Sequence, residues 1–386
     1  MAAGGPRAAA AVPGGPGAVL RLPRPSGPYP VGRTTLYLVD TARPDPWDAG
    51  IPVRELVASV LYPAAGPARL GGGPYAPQLD PGTVPLFTAV APLQHPGLPV
   101  SGVDWGATAS HARVGAAARA ERFPVLLYSP GGGDPRTLGT ALAQDLASHG
   151  FVVVAVDHPG DALAVEFPVT TAFRPDPVRM TVLTGDPRTD PERFRTLIDT
   201  RVADLRFVLG RLGVLARGGN PDAAGRPLPP ALGRALDPGR TGVYGHSAGG
   251  TAAAETLHED PRVAAGADLE GYLDYATGEL LPVARAGTGG RPLLLLATEG
   301  FADRAALDRS WDALLAAAAP GTVARHRIAG AAHWTFTDLA ALAPQLQARG
   351  LMTAAARASL VGTLPPRHAA ELVGRTLRTF FRRSLG

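Results

Sequence analysis

The stretch "TGVYGHSAGGTAAAE" (residues 241–255) passes from β-branched and aromatic residues through Gly245-His246-Ser247-Ala248-Gly249 into an alanine-rich run of helical character. A buried strand, a tight turn and a helix in that order put Ser247 at the apex of the turn. The G-x-S-x-G pattern alone is weak, since a chain this rich in glycine supplies ~0.15 matches by chance. Its place between strand and helix gives it weight. Small residues at 245, 249 and 250 let a strained turn pack against its neighbours, and the helix N-terminus favours developing negative charge. The Ala248 N–H can donate to an oxyanion. Ser247 therefore reads as a nucleophile.

Outward from this turn, short apolar runs alternate with helical patterns from about residue 34, the signature of an α/β fold with a mostly parallel central sheet and helices on both faces. "TTLYLVD", "RELVASVLYPA", "FPVLLYSP" and "FVVVAVDHPG" read as strands before the serine. "RVAAGADLE", "RPLLLLATE" and "TVARHRIAG" read as strands after it. "LGTALAQDLASHG" is a helix stopped by Gly150, and "TDPERFRTLIDTRVADLRFVLGRLGVLAR" is a long amphipathic helix opened by Asp190 and Pro191. A last helix covers "HAAELVGRTLRTFFRRSL". Residues 1–30 read as a disordered tail and 31–386 as a single domain. The Pro/Gly-rich connections 65–122 and 161–189 are long enough to suggest a lid or pocket wall.

Composition removes several kinds of chemistry. The chain has 386 residues, 45% of them hydrophobic, so a large core is available. All 37 basic residues are arginine and there is no cysteine. That excludes a Walker A lysine, a Schiff-base lysine, a Ser-x-x-Lys site, a thiol nucleophile and Cys-ligated metal. A net charge of +4 without an arginine-aromatic array argues against nucleic acid as a partner. No apolar run approaches the roughly 20 residues of a membrane span. The N-terminus has no clear signal peptide, its apolar run being broken by "PGGPG", which favours a cytoplasmic over a secreted protein. The terminal helix, with Phe380 and Phe381 among arginines, either rests on an anionic lipid surface or covers the sheet.

The partners of the serine follow from chain order. A second oxyanion donor belongs on the loop after an earlier strand that lies beside the serine turn in this architecture, where "YSPGGGDPRT" offers Gly132. A dinucleotide loop there would need glycine at 136, which is Arg136. The base belongs on a loop after the last strand, and His333 in "RIAGAAHWTFTD" satisfies this. His246, His258, His326 and His368 read as surface or packing residues. For the acid, Asp268, Glu270 and Asp274 follow the next strand, while Glu299 and Asp303 follow the one after. Spacing leaves that choice open. Asp157-His158 reads as a loop turn near the site rather than a metal pair, so no metal or cofactor is implied. Trp334 and Phe336 are either acyl-pocket or core aromatics.

Three stretches, "FPVLLYSPGGGDPRTLGTALAQDLASHGFVVVAVDHPGD", "YGHSAGGTAAAETLHEDPRVAAGADLEGYL" and "GAAHWTFTD", together resemble the platelet-activating-factor acetylhydrolase group of α/β-hydrolases, plasma type and bacterial relatives. The resemblance is strongest over 123–338. It implies the α/β-hydrolase fold and ester hydrolysis through an acyl-enzyme, with Ser247 as nucleophile and His333 as base. It also places the acid after the first strand beyond the serine. Relatives read Leu-Asp-Gly or Leu-Asp-Ala there, whereas this chain reads Leu269-Glu270-Gly271. Glu270 is thus the implied acid, with Asp268 as the alternative. Pro130 stands where relatives often have His. The implied substrates are small esters or short-chain and oxidised phospholipids. Two other readings use the same scaffold: a catalytically silent binding protein, and an acyltransferase with the same triad.

Overall fold

A computed structural model describes residues 17–66 and 73–386. Its strands, in chain order, are β1 (Val31–Asp40), β2 (Arg54–Pro63), β3 (Tyr75–Pro77), β4 (Ala109–Val114), β5 (Phe123–Ser129) and β6 (Val152–Asp157). These are followed by β7 (Ala164–Glu166), β8 (Val178–Met180), β9 (Leu236–His246), β10 (Val263–Leu269), β11 (Leu293–Thr298) and β12 (Val323–Ile328). Ten of them form one sheet in the order β12-β11-β10-β9-β5-β6-β2-β1-β4-β3. From β6 to β12 every pairing is parallel, and β2 runs antiparallel between β1 and β6. β7 and β8 form a separate hairpin.

The central strands are continuous apolar runs because both faces are covered. Along β5, Val125 and Leu127 point into one core and Leu126 and Tyr128 into the other, as the two-residue period of a strand requires. The first core is closed by helices Pro191–Ala216, Ala248–Glu259 and Arg304–Ala317. Helices Thr140–Ser148 and Pro366–Leu385 close the second. Asp190 caps the long helix by accepting from Arg193 N at 3.1 Å. In the terminal helix Phe381 is fully buried against Tyr244 with a ring separation of 6.3 Å, so this face covers the sheet.

Two expectations change. Residues 17–30 are not a free tail: Leu20 and Leu22 are buried, Ala18 bridges Val103, and Ser26 Oγ donates to Asp145 at 2.8 Å. Apolar residues spaced among prolines have no period to read, yet they fill a groove. The part of that expectation covering residues 1–16 lies outside the described residues. The second concerns 65–122, which contains β3, β4 and a helix, Val84–Gln94. Its strands extend the sheet edge, and prolines within the helix had hidden it.

Glu255, on the helix that follows the serine, is buried with Val283 N donating to its Oε2 at 3.1 Å, and burial pushes its carboxyl up to about 7. The folded protein therefore holds this proton at a pH where the unfolded chain releases it, and stability falls as pH rises from about 4.5 through about 7. Glu255→Gln is expected to remove that decline, up to roughly 3 kcal/mol of it, so its Tm should gain on wild type between pH 5 and pH 8. Parallel pH profiles of the two proteins would refute it.

Candidate active site

The carboxyl ends of five adjacent strands converge, and each carries one part of the site. β9 ends at His246, and Ser247 stands before helix Ala248–Glu259 with φ 55° and ψ −124°. That backbone costs an L-residue about 1–3 kcal/mol and persists only where its surroundings over-determine it. They do so here. Ser247 N donates to Leu269 O at 3.0 Å, tying the turn to the end of β10, and its own carbonyl accepts from Gly250 N and Thr251 N at 2.8 and 3.1 Å. A Cβ on Gly245 would lie 2.0 Å from the Gly249 carbonyl oxygen, and one on Gly249 would lie 2.1 Å from that of Ser129.

Strand and helix thus approach closer than any side chain allows. Gly249→Ala is expected to exceed the roughly 1–3 kcal/mol of ordinary overpacking, because backbone at Ser129 and Pro130 must move. A thermal melt within about 2 °C of wild type would contradict this.

After β12, His333 opens a 3₁₀ turn, His333–Phe336. Its Nδ1 lies 2.8 Å from Oε2 of Glu270. Glu270 directly follows β10, is buried and has φ 68°. Its Oε1 accepts from the Thr298 N–H and hydroxyl at 2.5 and 2.7 Å, so the end of β11 fixes the carboxylate. The other acids are engaged elsewhere. Asp268 Oδ1 accepts from Gly271 N at 2.6 Å, and burial raises its carboxyl well above the usual range. Glu299 accepts from Gly330 N at 2.8 Å, Asp303 caps helix Arg304–Ala317 and Asp274 pairs with Arg188 at 2.9 Å. Asp157 is bound to Arg136, and His158 lies 3.0 Å from both Ser129 Oγ and Asp204.

The glycine loop after β5 lies beside the serine turn, the Cβ direction of Gly132 pointing to 3.6 Å from Ala248 Cβ. Among the described residues neither the Gly132 nor the Ala248 N–H has an intramolecular acceptor. Both long connections reach this loop. Gln94, ending helix Val84–Gln94, approaches Gly133, and Pro187 approaches Gly132. Rings of Phe301 and Trp334 flank His333, each 5.1 Å from it. Phe336 is buried in the core.

Several residues near the site carried no readable signal. His246 is fully buried, with Nε2 3.0 Å from the His333 carbonyl and its ring 4.5 Å from that of His333. Burial, with the nearby His333, lowers its pKa well below the usual value, so it is neutral and donates to that carbonyl. His95 lies 3.0 Å from Asp134, both buried, and its ring is 5.2 Å from Trp334. Only distant parts of the chain brought together reveal these contacts.

Residues 104–217 match the family model for platelet-activating factor acetylhydrolase, isoform II. The chain is 29% identical over 385 residues to a probable 1-alkyl-2-acetylglycerophosphocholine esterase of Arthroderma benhamiae, covering 94% of this chain and 88% of that protein. A Bos taurus platelet-activating factor acetylhydrolase is 27% identical over 190 residues, 42% of this chain and 37% of the relative. The chain is thus similar to platelet-activating factor acetylhydrolases over a central segment and to a probable esterase of that kind over most of its length. Its fold also resembles a solved ferulic acid esterase from Streptomyces cinnamoneus, with 30% identity, TM-score 0.68, and coverage of 95% of this chain and 94% of that one. The protein is a carboxylic ester hydrolase, and none of its described helices is long and apolar enough to cross a membrane.

Proposed function

We propose that Ser247, His333 and Glu270 form the catalytic triad, with the Gly132 and Ala248 N–H groups as oxyanion hole, acting on esters with short acyl groups, short-chain or oxidised phospholipids among them. The observation that carries this reading is the 2.8 Å contact of His333 Nδ1 with Glu270, made across the end of β11 from beyond β12 and β10, with a serine held at φ 55° at the end of the neighbouring β9. With Nδ1 so engaged, Nε2 is the nitrogen left to accept the Ser247 proton.

As Oγ forms its bond to the acyl carbon, the proton passes to Nε2 and the carbonyl π electrons move onto oxygen. The two N–H groups stabilise that charge. Collapse expels the alkoxide, which takes the proton from Nε2, and leaves an acyl-Ser247 ester. Water attacks this ester in the same way, giving the acid and free serine. Glu270 orients the ring and stabilises the imidazolium throughout.

The short-acyl preference rests on the names of the relatives and on the walls of the site. Phe301 and Trp334 stand against the base, and Pro187 and Gln94 stand against the glycine loop. The test is kcat/KM for p-nitrophenyl acetate, butyrate and octanoate, with a phospholipid bearing sn-2 acetyl compared with sn-2 palmitoyl. Acetyl esters are expected to lead by about tenfold or more, ~1.4 kcal/mol in the transition state. Equal rates for all chain lengths would overturn the preference.

A further inference from the structure

The glycine loop raises a question that its sequence leaves open: what keeps the Gly132 N–H facing the serine? Gly131 and Gly132 flank one peptide unit, and glycine on both sides makes rotation of that unit cheap. In a planar trans peptide the C=O and N–H point in opposite directions, so fixing the Gly131 oxygen fixes the direction of the Gly132 N–H.

That oxygen is held by Arg201, a residue in the middle of helix Pro191–Ala216 with its side chain fully buried. Arg201 Nη2 donates to Gly131 O at 2.9 Å, and Nη1 donates to Pro130 O at 2.5 Å and to Ser129 Oγ at 3.2 Å. Nε donates to Asp161 Oδ2 at 2.5 Å, and the other oxygen of Asp161 accepts from Gly133 N at 2.9 Å. Residues 130, 131 and 133 are therefore all anchored to one ion pair. Gly132 alone is left without a bond to it.

We propose that Arg201 and Asp161 are positioning residues that lock the Gly131–Gly132 peptide with its carbonyl toward the guanidinium and its N–H toward the oxyanion formed at Ser247. This rests on the triad reading above. Here three of the four acceptors of Arg201 belong to residues 129–131, and the free oxygen of its partner is spent on Gly133. Only a planar fork reaches two successive carbonyls and a carboxylate at once. A lysine has the charge but not that reach, so Arg201→Lys tests the device with least disturbance of the core.

Arg201→Lys is expected to lower kcat for p-nitrophenyl acetate about 10- to 100-fold with KM within about threefold, since the donor is misplaced rather than removed. A trifluoromethyl ketone, whose adduct with serine carries an oxyanion, should lose affinity by the same factor. A merely structural residue would not make these two losses track each other. If Arg201→Lys does not fold, Asp161→Asn carries the test, with the same sign and a smaller effect. Either folded variant retaining kcat and inhibitor affinity within about twofold of wild type overturns the proposal. Ser247→Ala is measured alongside: full turnover in that variant would refute the triad reading itself, whereas an inactive Ser247→Ala beside a normal Arg201→Lys refutes only the lock.

Discussion

Ser247→Ala is expected to reduce kcat for p-nitrophenyl acetate by about 10⁴- to 10⁶-fold while leaving the fold intact. The size follows from what is lost. Without Oγ there is no acyl-enzyme, and His333 is left to activate water that nothing positions for attack. What remains is the stabilisation from the Gly132 and Ala248 N–H groups, on the order of 10³-fold over water in hydrolases of this kind. Stability should not fall, because the strained backbone at φ 55° is set by the bonds of Ser247 N and O rather than by its side chain. Alanine at that φ carries the same strain as serine. The measurement is steady-state turnover together with a thermal melt. A variant that retains more than about a tenth of wild-type kcat would remove Ser247 from the chemistry, since no other route through this site supplies that rate.

The sequence made some of this legible and hid the rest for physical reasons. Strands buried on both faces are continuous apolar runs, so β5, β6, β9 and β11 announce themselves, and chain order then points to the Gly132 loop, the serine and His333. The acid was ambiguous because Asp268, Glu270 and Asp274 lie within seven residues, and three-dimensional reach, not spacing, separates them. Glu270 turns toward His333 through a left-handed backbone, while Asp268 turns back onto Gly271 N. Arg201 could not be singled out at all. It is one arginine among 37 in a helix whose apolar period places it no differently from its neighbours, and its partners are 40 to 72 residues away. His246 carries a related lesson: it read as a surface or packing residue, and the structure buries it with its ring nitrogen on the carbonyl of His333.

The buried layer behind the strand ends explains why arginine is the residue used there. Arg54 joins Asp45 and Asp204, and Arg136 joins Asp80 and Asp157, all largely removed from water. The desolvation cost of such pairs is recovered only with full hydrogen bonding, which the planar guanidinium provides and an ammonium group does not. Arg201 belongs to the same layer but spends its donors on the glycine loop, which ties rigidity in the fold to the direction of an N–H in the site.

Glu270→Ala is expected to lower kcat by about 10³- to 10⁴-fold, because it releases His333 Nδ1 and leaves nothing to stabilise the imidazolium. Glu270→Gln should fall in the same range even though the shape is kept. Its amide can donate to Nδ1, which favours the tautomer with the proton on Nε2, the wrong one for a base facing serine. Glu299→Ala and Asp303→Ala should stay near wild type in kcat, since their carboxylates serve Gly330 N and a helix cap. Asp268→Asn separates the remaining candidate. Burial raises the Asp268 carboxyl well above the usual range and its Oδ1 serves Gly271 N, a bond that an isosteric amide can keep, so kcat should change by less than about tenfold. The informative comparison is between this variant and Glu270→Gln, each of which replaces a carboxyl group by its isosteric amide. If Asp268→Asn were the inactive one and Glu270→Gln the active one, the acid would have to be reassigned despite the 2.8 Å contact between Glu270 and His333. Glu270→Asp adds a measure of reach. The shorter side chain cannot keep both the Thr298 bonds and the imidazole bond from the same backbone, so activity between that of wild type and Glu270→Ala is expected.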